Sequence, residues 1–125
     1  EKKELDKNTE VYVADTMGEM GLWYSLSKAA FLGGSLVEKG GHNPLEAVQF
    51  GTFILHGSNI YNAKEKYEQL KKIGVCFQVS GEGEIAEKIL RLLNSNKKFD
   101  PEIDLSIDTK TALKESFLAI KSALQ

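Results

Sequence analysis

The chain has 125 residues, a length that fits one domain. Its 42% hydrophobic residues can fill a core, while 27% charged residues and a formal net charge of −2 exclude a disordered chain and the basic field that nucleic acid requires. No apolar stretch approaches the about 20 residues of a membrane span, residues 1–10 are too polar for a leader, and the single Cys76 can form no internal disulfide.

Short apolar runs alternate with helical periodicity, which predicts an α/β fold with a mainly parallel sheet. The first expected strand covers residues 11–14 (Val-Tyr-Val-Ala), and Thr16-Met17-Gly18-Glu19 leads into a helix to about Lys28. Residues 29–32 form the second expected strand, stopped by Gly33-Gly34. A loop over residues 35–43 enters a short helix from Pro44 to about Phe50. Residues 52–55 are the third strand, ended by His56-Gly57, and a helix follows from about Asn62 to Lys72. The fourth strand is residues 75–79, with Cys76 in an apolar run that predicts a buried, inert thiol. After Gly83, Ile85, Ile89, Leu92 and Leu93 form one helical stripe. Residues 94–108 read as a polar connection, and a last helix from about Thr109 uses Leu113, Phe117, Ile120 and Leu124. This is half of a doubly wound fold, whose ligands sit beyond the carboxyl ends of the strands. The chain has no initiator Met and opens on a charged run, so we read it as a piece of a longer protein.

Two segments carry chemistry. Thr16 and Glu19 have the spacing of a capping box, and the same helix start, with Gly18 giving open backbone, suits a phosphate; both readings stand. In the second, Asn43, Pro44 and Glu46 again spell a helix start with a capping box. Capping leaves Gly33, Gly34, Gly40, Gly41 and His42 without a reason. So many glycines in one loop suggest close backbone approach to a ligand, and Glu46 could accept hydrogen bonds from ribose hydroxyls. His42 is a phosphate ligand or a loop-packing residue, and His56 reads as structural. Two histidines without Cys/His ligand spacing predict no metal. Gly81-Glu82-Gly83 lacks a full dinucleotide fingerprint and reads as a turn, and Trp23 and Tyr24 read as packing residues.

Residues 11–20 (Val-Tyr-Val-Ala-Asp-Thr-Met-Gly-Glu-Met) resemble the strand-to-helix segment of transferases for 3-deoxy-D-manno-octulosonic acid (Kdo). Phe31-Leu32-Gly33-Gly34-Ser35-Leu36-Val37, followed by Gly40-Gly41-His42-Asn43-Pro44-Leu45-Glu46-Ala47, is similar to that family's most distinctive loop. The resemblance reaches through Gly57 and continues more weakly beyond it. It implies that residues 1–125 are the donor-nucleotide-binding domain of a two-domain GT-B enzyme: a Rossmann-like parallel sheet flanked by helices, forming the carboxy-terminal half. It also implies a CMP-Kdo donor, with Met17, Gly18 and Glu19 at the phosphate, Asn43 and Glu46 at the ribose, and Gly40, Gly41 and His42 shaping the loop. The family's catalytic carboxylate, lipid A precursor site and membrane anchor belong to the other half, which puts the full-length protein at the cytoplasmic face of the inner membrane. No cofactor is implied, and this piece alone is expected to be inactive. The chain departs from the family where a second proline usually follows the loop glutamate, and at residues 58–63, where a His-Thr-x-Asn-Phe pattern is usual and Asn62 holds the asparagine's place. The alternatives are the donor domain of another GT-B enzyme using a UDP-sugar, and a non-catalytic module of the same fold.

Overall fold

Three of the apolar runs form strands: β1 (Ala29–Phe31), β2 (Phe53–His56) and β3 (Cys76–Gln78). The computed structural model, which describes residues 6–101 and residue 122, pairs them in parallel in the order β1-β2-β3. Ala30 lies beside Ile54, and Ile54 beside Cys76. All four residues of β2 are buried, as a central strand covered on both faces requires. The helices are α1 (Met20–Leu26), α2 (Leu45–Val48), α3 (Lys64–Lys72) and α4 (Glu82–Asn94).

The core fills the space between sheet and helices. Leu45 and Val48 of α2, Tyr67 and Leu70 of α3, and Phe53, Ile54 and Leu55 of β2 are all essentially inaccessible to water. Burying a side chain of this size stabilises the fold by about 1.5–3 kcal/mol. On α4, Leu92 is buried with Ile85 and Ile89 packed behind it, but Leu93 remains 56% exposed. One residue along a helix turns the side chain by about 100°, which takes Leu93 off the stripe expected to hold it.

The expected strand at residues 11–14 is not formed. Val11 is 82% and Val13 77% exposed, and Tyr12 rests its ring on Trp23 at 5.1 Å between centroids. A Val-rich run becomes a strand only with a neighbouring ladder and a covered face, and among the described residues it has neither. The helix expected from Thr16 starts later, at Met20, because Gly18 has φ +86°, a left-handed geometry that helix cannot contain. Gly81-Glu82-Gly83 is a helix start more than a turn: Gly81 flanks α4, and the Glu84 carboxylate accepts from the Ser80 N–H at 2.9 Å. Residues 95–100 hold no regular element. The last expected helix, with Leu113, Phe117, Ile120 and Leu124, lies outside the described residues. Among those described, no helix is long and apolar enough to cross a membrane.

Candidate functional site

The loop after β1 is shaped by its glycines and held by the loop after β2. Gly34, Gly40 and Gly41 have φ of +73°, +81° and +72°, and the Gly41 N–H donates to the Gly34 carbonyl at 3.1 Å, closing the turn. Buried Ser35 joins the two loops: its hydroxyl donates to the Leu32 carbonyl at 2.6 Å and accepts from the Gly57 N–H at 2.8 Å. The Ser35 carbonyl also accepts from the Asn59 N–H at 2.9 Å. Gly57 lies so close that a Cβ there would meet the Leu36 nitrogen at 2.6 Å. Sequence reasoning missed Ser35; its place directly after Gly33-Gly34 at a strand end was the available signal.

The loop then turns into α2. The Asn43 Oδ1 accepts from the Leu45 N–H at 3.2 Å, so the expected cap is made. The Glu46 carboxylate does not complete a capping box: among the described residues it forms no hydrogen bond, although it is half-buried. Its charge reaches Tyr24, whose phenol is pushed above its usual range first by burial and second by Glu46. A carboxylate held near the surface with free acceptor capacity can bind hydroxyl donors. Because α2 has four residues, its contribution toward an anion would come from individual N–H groups and not from a long dipole.

An open cleft of about 700 Å³ runs along the free side of β1 to its carboxyl end. His42, Asn43 and Glu46 line it together with Met20, Trp23 and Tyr24 and with residues 29–33. Three of the sequence-predicted site residues therefore meet in one space. Gly40 and Gly41 stand behind them, with Gly40 buried against Tyr61 and Asn62. Met17, Gly18 and Glu19 do not line the cleft. Met17 is 98% exposed, no described residue stands within 4 Å of where a Gly18 Cβ would be, and the Glu19 carboxylate accepts from the Thr16 hydroxyl. That contact is between side chains, so Thr16 and Glu19 form no capping box with the backbone.

The cleft carries no lysine or arginine among its lining residues, and no cluster of three metal-ligating side chains occurs among the described residues. His56 lies outside it, fully buried, its Nδ1–H donating to the Gly57 carbonyl and its ring 4.6 Å from that of Tyr67. Cys76 is buried and its thiol is pushed up to about 12 by desolvation, as befits an inert core residue.

No family model matches the chain. The 3-deoxy-D-manno-octulosonic acid transferase of Haemophilus influenzae is 36% identical over 93 residues, 74% of this chain and 22% of its own length. That of Aquifex aeolicus is 32% identical over 93 residues, 74% of this chain and 26% of its own. A bifunctional glycosyltransferase/methyltransferase of Fusobacterium nucleatum is 30% identical over 81% of this chain and 16% of its own. Among solved structures, the C-terminal CMP-Kdo binding domain of WaaA from Acinetobacter baumannii superposes with a TM-score of 0.65 at 29% identity, over 94% of this chain and 54% of that one. The chain thus spans about a quarter or less of the length of these curated relatives.

Proposed function

Because this chain is a relative of the 3-deoxy-D-manno-octulosonic acid transferases and corresponds to their carboxy-terminal domain, we propose that it holds the CMP portion of a CMP-Kdo donor. The observation that carries this reading is the meeting of Asn43 and Glu46 in one cleft, with no hydrogen bond to the Glu46 carboxylate among the described residues. A ribose offers two adjacent hydroxyl donors to such a carboxylate. The Asn43 side chain, fixed by its bond to the Leu45 N–H, adds a second polar group with a set orientation. The left-handed Gly40 and Gly41 shape the loop that brings Asn43 to the cleft, and His42 lines the cleft for the phosphate. Met17, Gly18 and Glu19 would join from the edge of α1, where Gly18 leaves open space for a phosphate oxygen.

In the full-length protein the reaction would be displacement at the anomeric carbon of Kdo. A carboxylate outside this chain would take the proton of the acceptor hydroxyl, with a lipid A precursor as acceptor at the cytoplasmic face of the inner membrane. This domain, as half of a GT-B enzyme, would bind the departing CMP, and N–H groups at helix starts would stabilise the charge growing on its phosphate. The other strands of the sheet and a cation for the phosphate would come from the rest of the protein.

Calorimetric titration of the full-length protein with CMP and UMP tests the reading. Cytosine presents an amino donor where uracil presents a carbonyl acceptor, so a built cytidine site separates them. We expect CMP to bind at least about tenfold more tightly than UMP, a difference of about 1.4 kcal/mol. Preference for UMP would favour the donor domain of another glycosyltransferase using a UDP-sugar. Binding of neither would leave a non-catalytic module.

A further inference from the structure

The glycine loop has polar anchors that come from a different part of the chain. The buried Tyr67, on the inner face of α3, donates its hydroxyl to the His42 carbonyl at 2.6 Å. The Asn62 Nδ2 donates to the Lys39 carbonyl at 3.2 Å, and the Asn62 N–H to the Gly40 carbonyl, also at 3.2 Å. These bonds grip the loop on both sides of Gly40 and Gly41, two residues in left-handed backbone that are least able to hold a shape by themselves. The fit is close: a Cβ on Gly40 would strike Asn62 and Tyr61, and one on Gly41 would lie 3.2 Å from the Asn59 carbonyl and 3.6 Å from the Tyr67 hydroxyl.

A phenol hydroxyl at the end of a rigid, packed ring is a suitable strut. The Tyr67 ring is immobilised against His56, so the hydroxyl position is set by the core and not by the loop. The bond it makes is to the backbone of the residue beside Asn43. An ångström of movement at His42 would be felt at the Asn43 side chain and at the start of α2, where Glu46 is carried. We infer that Tyr67 and Asn62 are positioning residues that brace the glycine loop in the shape needed to bind a cytidine nucleotide. Neither touches the nucleotide; they act through His42, Lys39 and Gly40. The inference rests on the donor-site reading above and adds residues that lie outside the cleft lining.

Two variants test it in the full-length protein. Tyr67→Phe removes one hydroxyl and keeps the ring in the core, and Asn62→Ala truncates an exposed side chain, so both are compatible with folding. Hydrogen exchange is read at the Gly41 amide, which is bonded within the loop, and at the Ile54 amide, which donates to the Val75 carbonyl in the sheet. Loosening the brace should speed exchange at Gly41 by about tenfold and leave Ile54 unchanged. Dissociation constants for CMP should rise by about threefold to tenfold in each variant, as expected for loss of one neutral hydrogen bond. With the assembled enzyme, KM for the donor should rise while kcat stays near the unsubstituted value. Unchanged exchange at Gly41, or faster exchange with unchanged CMP affinity, overturns the positioning role. If the unsubstituted protein binds no CMP, the donor reading fails; exchange at Gly41 still shows whether the two residues anchor the loop, but their role toward the nucleotide is then overturned.

Discussion

At the scale of single residues, Asn43 and Glu46 divide the work of one helix start. Asn43 makes the cap bond to Leu45, and the Glu46 carboxylate accepts no hydrogen bond among the described residues. Asn43→Ala should therefore lower stability by about 0.5–2 kcal/mol, measured from the urea midpoint. Glu46→Gln should leave that midpoint nearly unchanged and weaken CMP binding by about tenfold or more, because hydrogen bonds to a charged group contribute about 1.5–3 kcal/mol. A fall in stability with unchanged affinity would return Glu46 to a capping role. His56 makes a different prediction. Its imidazole is buried, and its Nε2 has no hydrogen-bond partner among the described residues. Burial holds its pKa below the ordinary histidine value, with the nearby Lys71 charge adding to the effect against the bond to the Gly57 carbonyl. The unfolded chain then binds a proton more readily than the folded one, so stability is full above the ordinary histidine pKa of about 6.5 and declines as pH falls below it. Replacing His56 by Phe should flatten that part of a stability-against-pH curve, whereas an unaltered slope would assign it to other groups.

At the scale of elements, the periodicity of the sequence located three of the four expected strands and four helices, several of them followed by a glycine such as Gly33, Gly57 or Gly74. Phe53, Ile54 and Leu55 read as a strand, and the structure places that strand at the centre of the sheet. Residues 11–14 have the same strand-like composition but no strand beside them among the described residues, and composition cannot report a missing neighbour. The loop was legible in part. The glycines and the Asn-Pro-x-Glu spacing marked residues 40–46, and His42, Asn43 and Glu46 do share a cleft. Its supports were not legible, since Ser35 and Gly57, or His42 and Tyr67, meet only through tertiary folding. The contact between the loops after β1 and β2 is tight enough to test directly. Gly57→Ala would drive a methyl group into the Ser35 carbonyl and the Leu36 nitrogen. It should cost more than about 2 kcal/mol of stability, because backbone on both sides leaves no side chain to yield. A shift of the urea midpoint within the error of the measurement would show that the loops separate easily.

At the scale of the whole molecule, the chain is a sheet with a cleft along one side of β1, related to curated transferases about three or more times its length. The cleft offers hydroxyl acceptors and open backbone but no lining cation among the described residues. A dianionic phosphate then needs charge from elsewhere in the protein, so CMP should bind this chain alone at least about tenfold more weakly than it binds the full-length protein. Equal affinity would place every determinant within these residues. The most direct test of the donor-site account is a crystal structure of the full-length protein with CMP bound. Ribose hydroxyls are expected within hydrogen-bond reach of Asn43 and Glu46, with the phosphate facing His42 and the edge of α1. CMP bound away from this cleft, or in it with the ribose turned from Glu46, would contradict the account.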